Sequence, residues 1–142
     1  MKVCSFVVEC TNNRPSAIAA VVYEYNCEKS DFEISWPSEK CETYVEMLQT
    51  FAKYLTENTD EAIFVTCDLC PNVCKLITDM NAIGQGQCFD YKPICDIKSV
   101  LLPKRFSYDQ VMYDTIDKFK EKKLSLARSI GVHYIRIMNK RY

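Results

Sequence analysis

Residues 62–66, AIFVT, decide how the chain folds. Four apolar side chains in a row leave the segment without a polar face, so a strand built from it must be covered on both sides, as the strands of parallel sheets are. Just before it, residues 39–55 carry Tyr44, Val45, Leu48, Phe51, Ala52 and Leu55 at helical spacing, with Ser38 as the expected N-cap. A helix leading into a strand buried on both faces reads as a crossover to a parallel neighbour. Further upstream, residues 3–10 (VCSFVVEC) and 17–25 (AIAAVVYEY) are apolar and β-branched, and they flank the turn chemistry of Thr11-Asn12-Asn13-Arg14-Pro15. Residues 32–36 (FEISW) alternate as a third strand should. Downstream, Pro71 is placed to open a helix through Cys74, Leu76, Ile77 and Met80 that ends near Gly84 or Gly86. Residues 94–97 (ICDI) read as a fifth strand, and 108–119 and 126–138 as amphipathic helices. The run KFKEKK at 118–123 reads as a solvated helix end or loop. The order β-β-β-α-β-α-β-α-α predicts an α/β fold, a mixed β-sheet with helices on both faces. No repeat, linker or low-complexity segment divides the chain, so 1–142 reads as a single domain.

Composition narrows the function classes. Eighteen basic and nineteen acidic side chains give a formal net charge of −1, which does not indicate a protein that coats nucleic acid. The longest apolar stretch, residues 17–23, falls far short of the roughly 20 residues a spanning helix needs. Residues 1–9 lack the apolar core and cleavage site of a signal peptide. Nine cysteines are many, but the count is odd, and Cys4, Cys10 and Cys95 lie inside apolar runs where a free thiol behaves as a small hydrophobe. The expectation is mostly free thiols in a reducing compartment, cytoplasmic or nuclear.

The element order and a set of short phrases resemble the ribonuclease H-like 3′–5′ exonucleases of the DEDD type, in particular the polymerase proofreading subunits and the enzymes that trim histone mRNA and small interfering RNA. That family's first strand carries Asp-x-Glu followed by Thr, against Val7-Val8-Glu9-Cys10-Thr11 here. Its second strand carries an Ile-Gly/Ala-Ala-Val-Val phrase, against Ile18-Ala19-Ala20-Val21-Val22. Its fourth strand ends in Val-x-His-Asn ahead of a catalytic Asp, against Val65-Thr66-Cys67-Asp68, which sets Asn72 at the Asp position. The RNA-trimming branch has Asp-Ile/Leu-Lys after an aromatic loop, against Phe89-Asp90-Tyr91 and Asp96-Ile97-Lys98. Its last helix opens with His and has Asp five residues later, which sets Ala127 and Val132 at those positions. The resemblance runs from Val3 to Met138. The stretch between the third strand and the first helix, 36–39, is shorter than the family's, so the surface that grips substrate is expected to be reduced.

Chemistry of this class uses two divalent cations about 4 Å apart, held by carboxylates, with a base to activate water. Mg²⁺ and Mn²⁺ demand oxygen ligands. At the matched positions Val7, Glu9, Asn72, Ala127 and Val132 only Glu9 is a carboxylate, so the resemblance implies a pseudo-exonuclease with no catalytic residue and no cofactor. A site rebuilt from Glu9, Asp68 and His133, with Asp90 and Asp96 near it, would instead make an active enzyme with displaced ligands. The cluster Cys67-x2-Cys70-x3-Cys74 offers three thiols. Zinc wants four, and Cys88 or Cys95 is the candidate fourth. Cys67 and Cys70 also precede a helix, where a thiol can be activated.

The expected role is therefore a protein-interaction scaffold or adaptor in an RNA-processing or small-RNA assembly, with another protein as its partner and no membrane. Tyr44, Tyr54, Tyr91, Tyr108, Tyr113 and Tyr134 are the candidate contact residues. The alternative is an RNA-binding module without cleavage, using Lys118, Lys120, Lys122, Lys123, Arg128, Arg136, Lys140 and Arg141.

Overall fold

The computed structural model describes residues 1–100, 114–119 and 121–141, with residues 140 and 141 described by their backbone alone. Strands β1 (Lys2–Thr11), β2 (Arg14–Glu24) and β3 (Cys27–Ser35) form an antiparallel meander. Asn12, Asn13, Tyr25 and Asn26 hold the two hairpin turns with positive φ, a conformation asparagine tolerates better than most residues. Helix α1 (Tyr44–Asn58) then carries the chain over to β4 (Ile63–Thr66), which pairs parallel with β1 in the register Val3↔Ile63, Cys4↔Phe64, Ser5↔Val65. After a wide turn, Leu69–Val73, helix α2 (Cys74–Ala82) leads to β5 (Ile94–Asp96), parallel to β4. The sheet runs β3-β2-β1-β4-β5. A short helical turn α3 (Ile97–Val100), a helical stretch α4 (114–118) and the long helix α5 (Lys123–Arg141) follow.

Strand alternation divides the core in two. Cys4, Phe6 and Val8 of β1, Ile18, Ala20 and Val22 of β2 and Phe64 of β4 face α1 and α2. Val3 and Val7, Ala19, Val21 and Tyr23, and Val65 face α5. The central strands are apolar on both faces because both faces are covered, which is why AIFVT has no polar side. Four aromatic rings, Phe6, Phe51, Phe64 and Phe89, join in the first cluster at centroid distances of 4.9–6.2 Å. On the other face α5 crosses close to the sheet at Gly131, where an added Cβ would lie 2.5 Å from the Tyr23 ring and 2.8 Å from Ser5 Oγ.

Several boundaries differ from expectation: Pro71, expected to open a helix, lies in the wide turn, and α2 begins at Cys74. Helix α1 begins at Tyr44, not at 39, because Thr43 is the N-cap: its hydroxyl accepts from the Glu46 amide at 3.1 Å. Ser38 instead bridges Cys41 through paired backbone hydrogen bonds. Strand β3 starts five residues before the expected 32–36. It is the sheet's outer strand and mostly exposed, so polar residues serve it well. Helix α5 starts at Lys123, inside the run read as solvated. The expected helix at 108–119 lies partly outside the described residues. No helix among the described residues is long and apolar enough to cross a membrane.

Candidate functional site

Because β1 and β4 are parallel, their carboxyl ends point the same way, and between them the strand order reverses, with β2 and β3 to one side and β5 to the other. Such a switch point is where open α/β sheets hold ligands. A cleft of about 360 Å³ opens there. From β1 it takes Val7 and Glu9, from the end of β4 and the turn after it Cys67, Asp68 and Asn72, and from α3 Lys98. The chain entering α5 closes it with Ile116, Asp117, Glu121, Lys123 and Leu126. Three of the five family-matched positions, Val7, Glu9 and Asn72, thus meet in one place.

Their surroundings define what they can do. Val7 is 3% exposed and packs with the apolar cluster under α5. Asn72 donates from Nδ2 to the Val8 carbonyl at 3.0 Å, so its amide ties the turn after β4 to β1. Glu9 is half-exposed, and the Lys123 ammonium lies 3.5 Å from its carboxylate. The Lys123 side chain is only 14% exposed, so that cation lies within the cleft rather than in open solvent. Asp96 accepts from the Leu69 amide at 3.3 Å and from the Lys98 amide at 2.9 Å, and in this way fixes both the wide turn and α3. Asp90 lies exposed at the turn before β5.

The other two matched positions lie elsewhere. Ala127 is fully buried and its carbonyl accepts from the Ser5 hydroxyl, deeper along β1 than the cleft. Val132 lines a separate hollow with Tyr23, Asn26, Ile135 and Arg136. With 1.5 Å of rise per residue it stands about 13 Å along α5 from Lys123. The reason is direction: α5 starts at the Glu9 end of β1 and runs back toward Tyr23, so later residues move away from the cleft. Two residues with the expected five-residue spacing do line it, Glu121 and Leu126. His133, beyond Gly131 and buried, is not among the cleft's lining residues, so the set Glu9, Asp68 and His133 does not come together.

The cysteines are likewise separated. Cys67 belongs to the cluster under α5 and Cys88 to the one under α1 and α2, on opposite faces of the sheet, while Cys70 and Cys74 are exposed. This splits the zinc set Cys67, Cys70, Cys74 and Cys88. Among the described residues no three His, Cys, Asp or Glu side chains converge as a metal site would require. All nine cysteines are free thiols. Burial, with help from neighbouring Asp68, pushes the Cys67 thiol up to about 12, although Lys98 pulls the other way. An activated thiol would be shifted down instead.

The surface candidates also sort themselves. Tyr54 is buried, stacked on Phe32 at 4.7 Å and hydrogen-bonded to Ser30, and Tyr134 is buried under α5, so neither offers a contact face. Tyr44 is partly buried, and Tyr91 is fully exposed. Tyr108 and Tyr113 lie outside the described residues. Of the basic residues, Arg128 is held by Glu28 at 2.7 Å and by Asp31 at 3.2 Å, and Lys123 by Glu9. Lys120 and the side chains of Lys140 and Arg141 lie outside the described residues. Sequence reasoning missed Lys98, Asp117, Glu121 and Lys123 as cleft residues. For Lys123 a signal existed: it falls in step with Leu126, Ala127, Ile130, Tyr134 and Ile137 on one helical stripe. No protein-family model matches the chain, and no curated protein matches its sequence.

Proposed function

We propose that this chain is a ribonuclease H-like pseudo-exonuclease, a scaffold that binds another protein and does not cleave. The strand order β3-β2-β1-β4-β5 and the convergence of Val7, Glu9 and Asn72 at the switch point support the fold reading. The assignment to an RNA-processing or small-RNA assembly follows from the resemblance. The observation that carries the loss of activity is the Lys123 ammonium, largely buried and 3.5 Å from Glu9. It places a fixed positive charge beside the one carboxylate that the matched positions retain.

The residues present do not fit two divalent cations. Val7 and Leu126 have no lone pairs, Asn72 supplies a neutral amide already engaged with β1, and the cleft's carboxylates, Glu9, Asp68, Asp117 and Glu121, do not gather among the described residues into a group of three that could hold an ion. Hard cations take charged oxygens in preference, and an adjacent ammonium opposes them. Non-cleaving RNA binding has less support, because Arg128 and Lys123 spend their charge on carboxylates of the same chain.

The test combines calorimetric titration with Mg²⁺, Mn²⁺ and Zn²⁺ and incubation of a 5′-labelled single-stranded oligonucleotide with Mn²⁺. The expected result is no saturable heat for Mg²⁺ or Mn²⁺ and an oligonucleotide of unchanged length. Shortening from the 3′ end that disappears in Glu9→Gln would overturn the reading.

A further inference from the structure

A second hollow, of about 690 Å³, lies on the other face of the β1–β2 hairpin turn, between that turn, Trp36, the start of α1 and the end of α2. Arg14 lines it. The guanidinium carbon stands 4.8 Å from the centre of the Tyr44 ring and 5.9 Å from that of Trp36, so two aromatic faces hold it. The rings are themselves fixed. Trp36 donates from Nε1 to the Glu42 carbonyl at 3.2 Å, and the Tyr44 hydroxyl donates to Asp79. Asp79 also pairs with Lys75 at 3.3 Å, so its charge is committed. Among the described residues no carboxylate pairs with Arg14. Aromatic faces attract the cation but accept none of its five N–H donors in the plane.

The rest of the lining tells what the occupant must be. Pro15, Pro37, Val45, Leu48 and Ile83 give an apolar floor, with Val45 well exposed. Arg14 and Lys75 against Asp79 leave a single surplus positive charge. A nucleic-acid strand brings one negative charge per nucleotide and is held by several cations. One guanidinium in an apolar groove is matched instead by one carboxylate flanked by apolar side chains. We propose that this groove receives a peptide segment of a partner protein that presents an Asp or Glu carboxylate to Arg14 and apolar side chains to Trp36 and Val45. The inference rests on the scaffold reading and gives it a surface, built from residues separate from the Glu9 cleft.

The experiment pans a display library of random dodecapeptides on the full chain, and then measures a synthetic copy of the enriched sequence. The expected winners carry one acidic residue between apolar ones. Replacing that residue by its amide should weaken binding about tenfold to a hundredfold, the worth of a charge-assisted hydrogen bond. Arg14→Gln should do the same, and Val45→Glu should abolish binding by repelling the carboxylate. Both positions are exposed, and unchanged thermal unfolding of the variants shows that the fold is retained. Absence of enrichment, winners without an acid, binding indifferent to Arg14→Gln, or displacement of the peptide by oligouridine would each overturn the proposal. Oligonucleotide cleavage would overturn the scaffold reading and leave the groove in place. Failure to enrich peptides would remove the groove and leave the Glu9 cleft inert.

Discussion

Asn72 shows how one atom separates a structural role from a catalytic one. Its amide donates to the Val8 carbonyl, which a carboxylate cannot do. Asn72→Asp sets a charged acceptor against an acceptor, and we expect a loss of about 1–3 kcal/mol in urea unfolding at neutral pH. If the substitution is neutral, the amide is not the tie described. Gly131 is a second single-atom case. A methyl there would meet Tyr23 and Ser5 within 3 Å, so Gly131→Ala should destabilise by about 1–3 kcal/mol through overpacking, although alanine is the better helix former. A gain in melting temperature would show that α5 stands off the sheet more freely than the contact distances indicate. That Glu9 and Asn72 would lie together was legible because the ends of β1 and β4 fix their place. Lys123 was not, because a lysine in a charged run reads as solvated until the helix that carries it has a known start.

Elements were legible where periodicity was strong and obscure where ends were set by polar atoms. The β-branched apolar runs of β1 and β2 and the two-faced hydrophobicity of β4 gave strand identity directly. The start of α1 was misplaced because Ser38 and Thr43 are both acceptable caps. The pattern Thr43-x-x-Glu46 is the one the fold uses, with Glu46 Oε2 also accepting from the Glu42 amide at 3.3 Å. Thr43→Ala should therefore cost about 1 kcal/mol in thermal unfolding, while Ser38→Ala changes little. Equal effects would mean that the helix is capped by neither hydroxyl. The placement of Ala127 and Val132 away from the cleft was hidden for a related reason. Five-residue spacing alone fits both Ala127 with Val132 and Glu121 with Leu126, and only the direction of the helix across the sheet shows that the second pair is the one lining the cleft.

For the molecule as a whole, the thiols are part of the packing. Burial raises the values of Cys4, Cys10, Cys41, Cys67, Cys88 and Cys95 above the ordinary thiol value. A raised value favours the protonated form in the folded state. The stability it reflects is fully present below pH 9.0 and is lost as pH rises toward about 12, the folded value of Cys67. A single such thiol contributes a slope of about 1.4 kcal/mol per pH unit in that window. Thermal unfolding in reductant should show a melting temperature that is flat near neutrality and falls above pH 9, with a shallower fall for Cys67→Ala. An unchanged slope in that variant would place the alkaline sensitivity elsewhere.

The two-sided sheet also carries a liability in time. The strands from β1 to β4 lie within the first half of the chain, yet Val3, Val7, Ala19, Val21 and Val65 find their cover in α5, at its far end. While the polypeptide is being made, those side chains wait bare on a formed sheet until the residues of α5 clear the ribosome tunnel. A chain cut before Lys123 would present a sticky plane to chaperones and to its own copies, so a stop at that point should yield aggregates rather than folded protein.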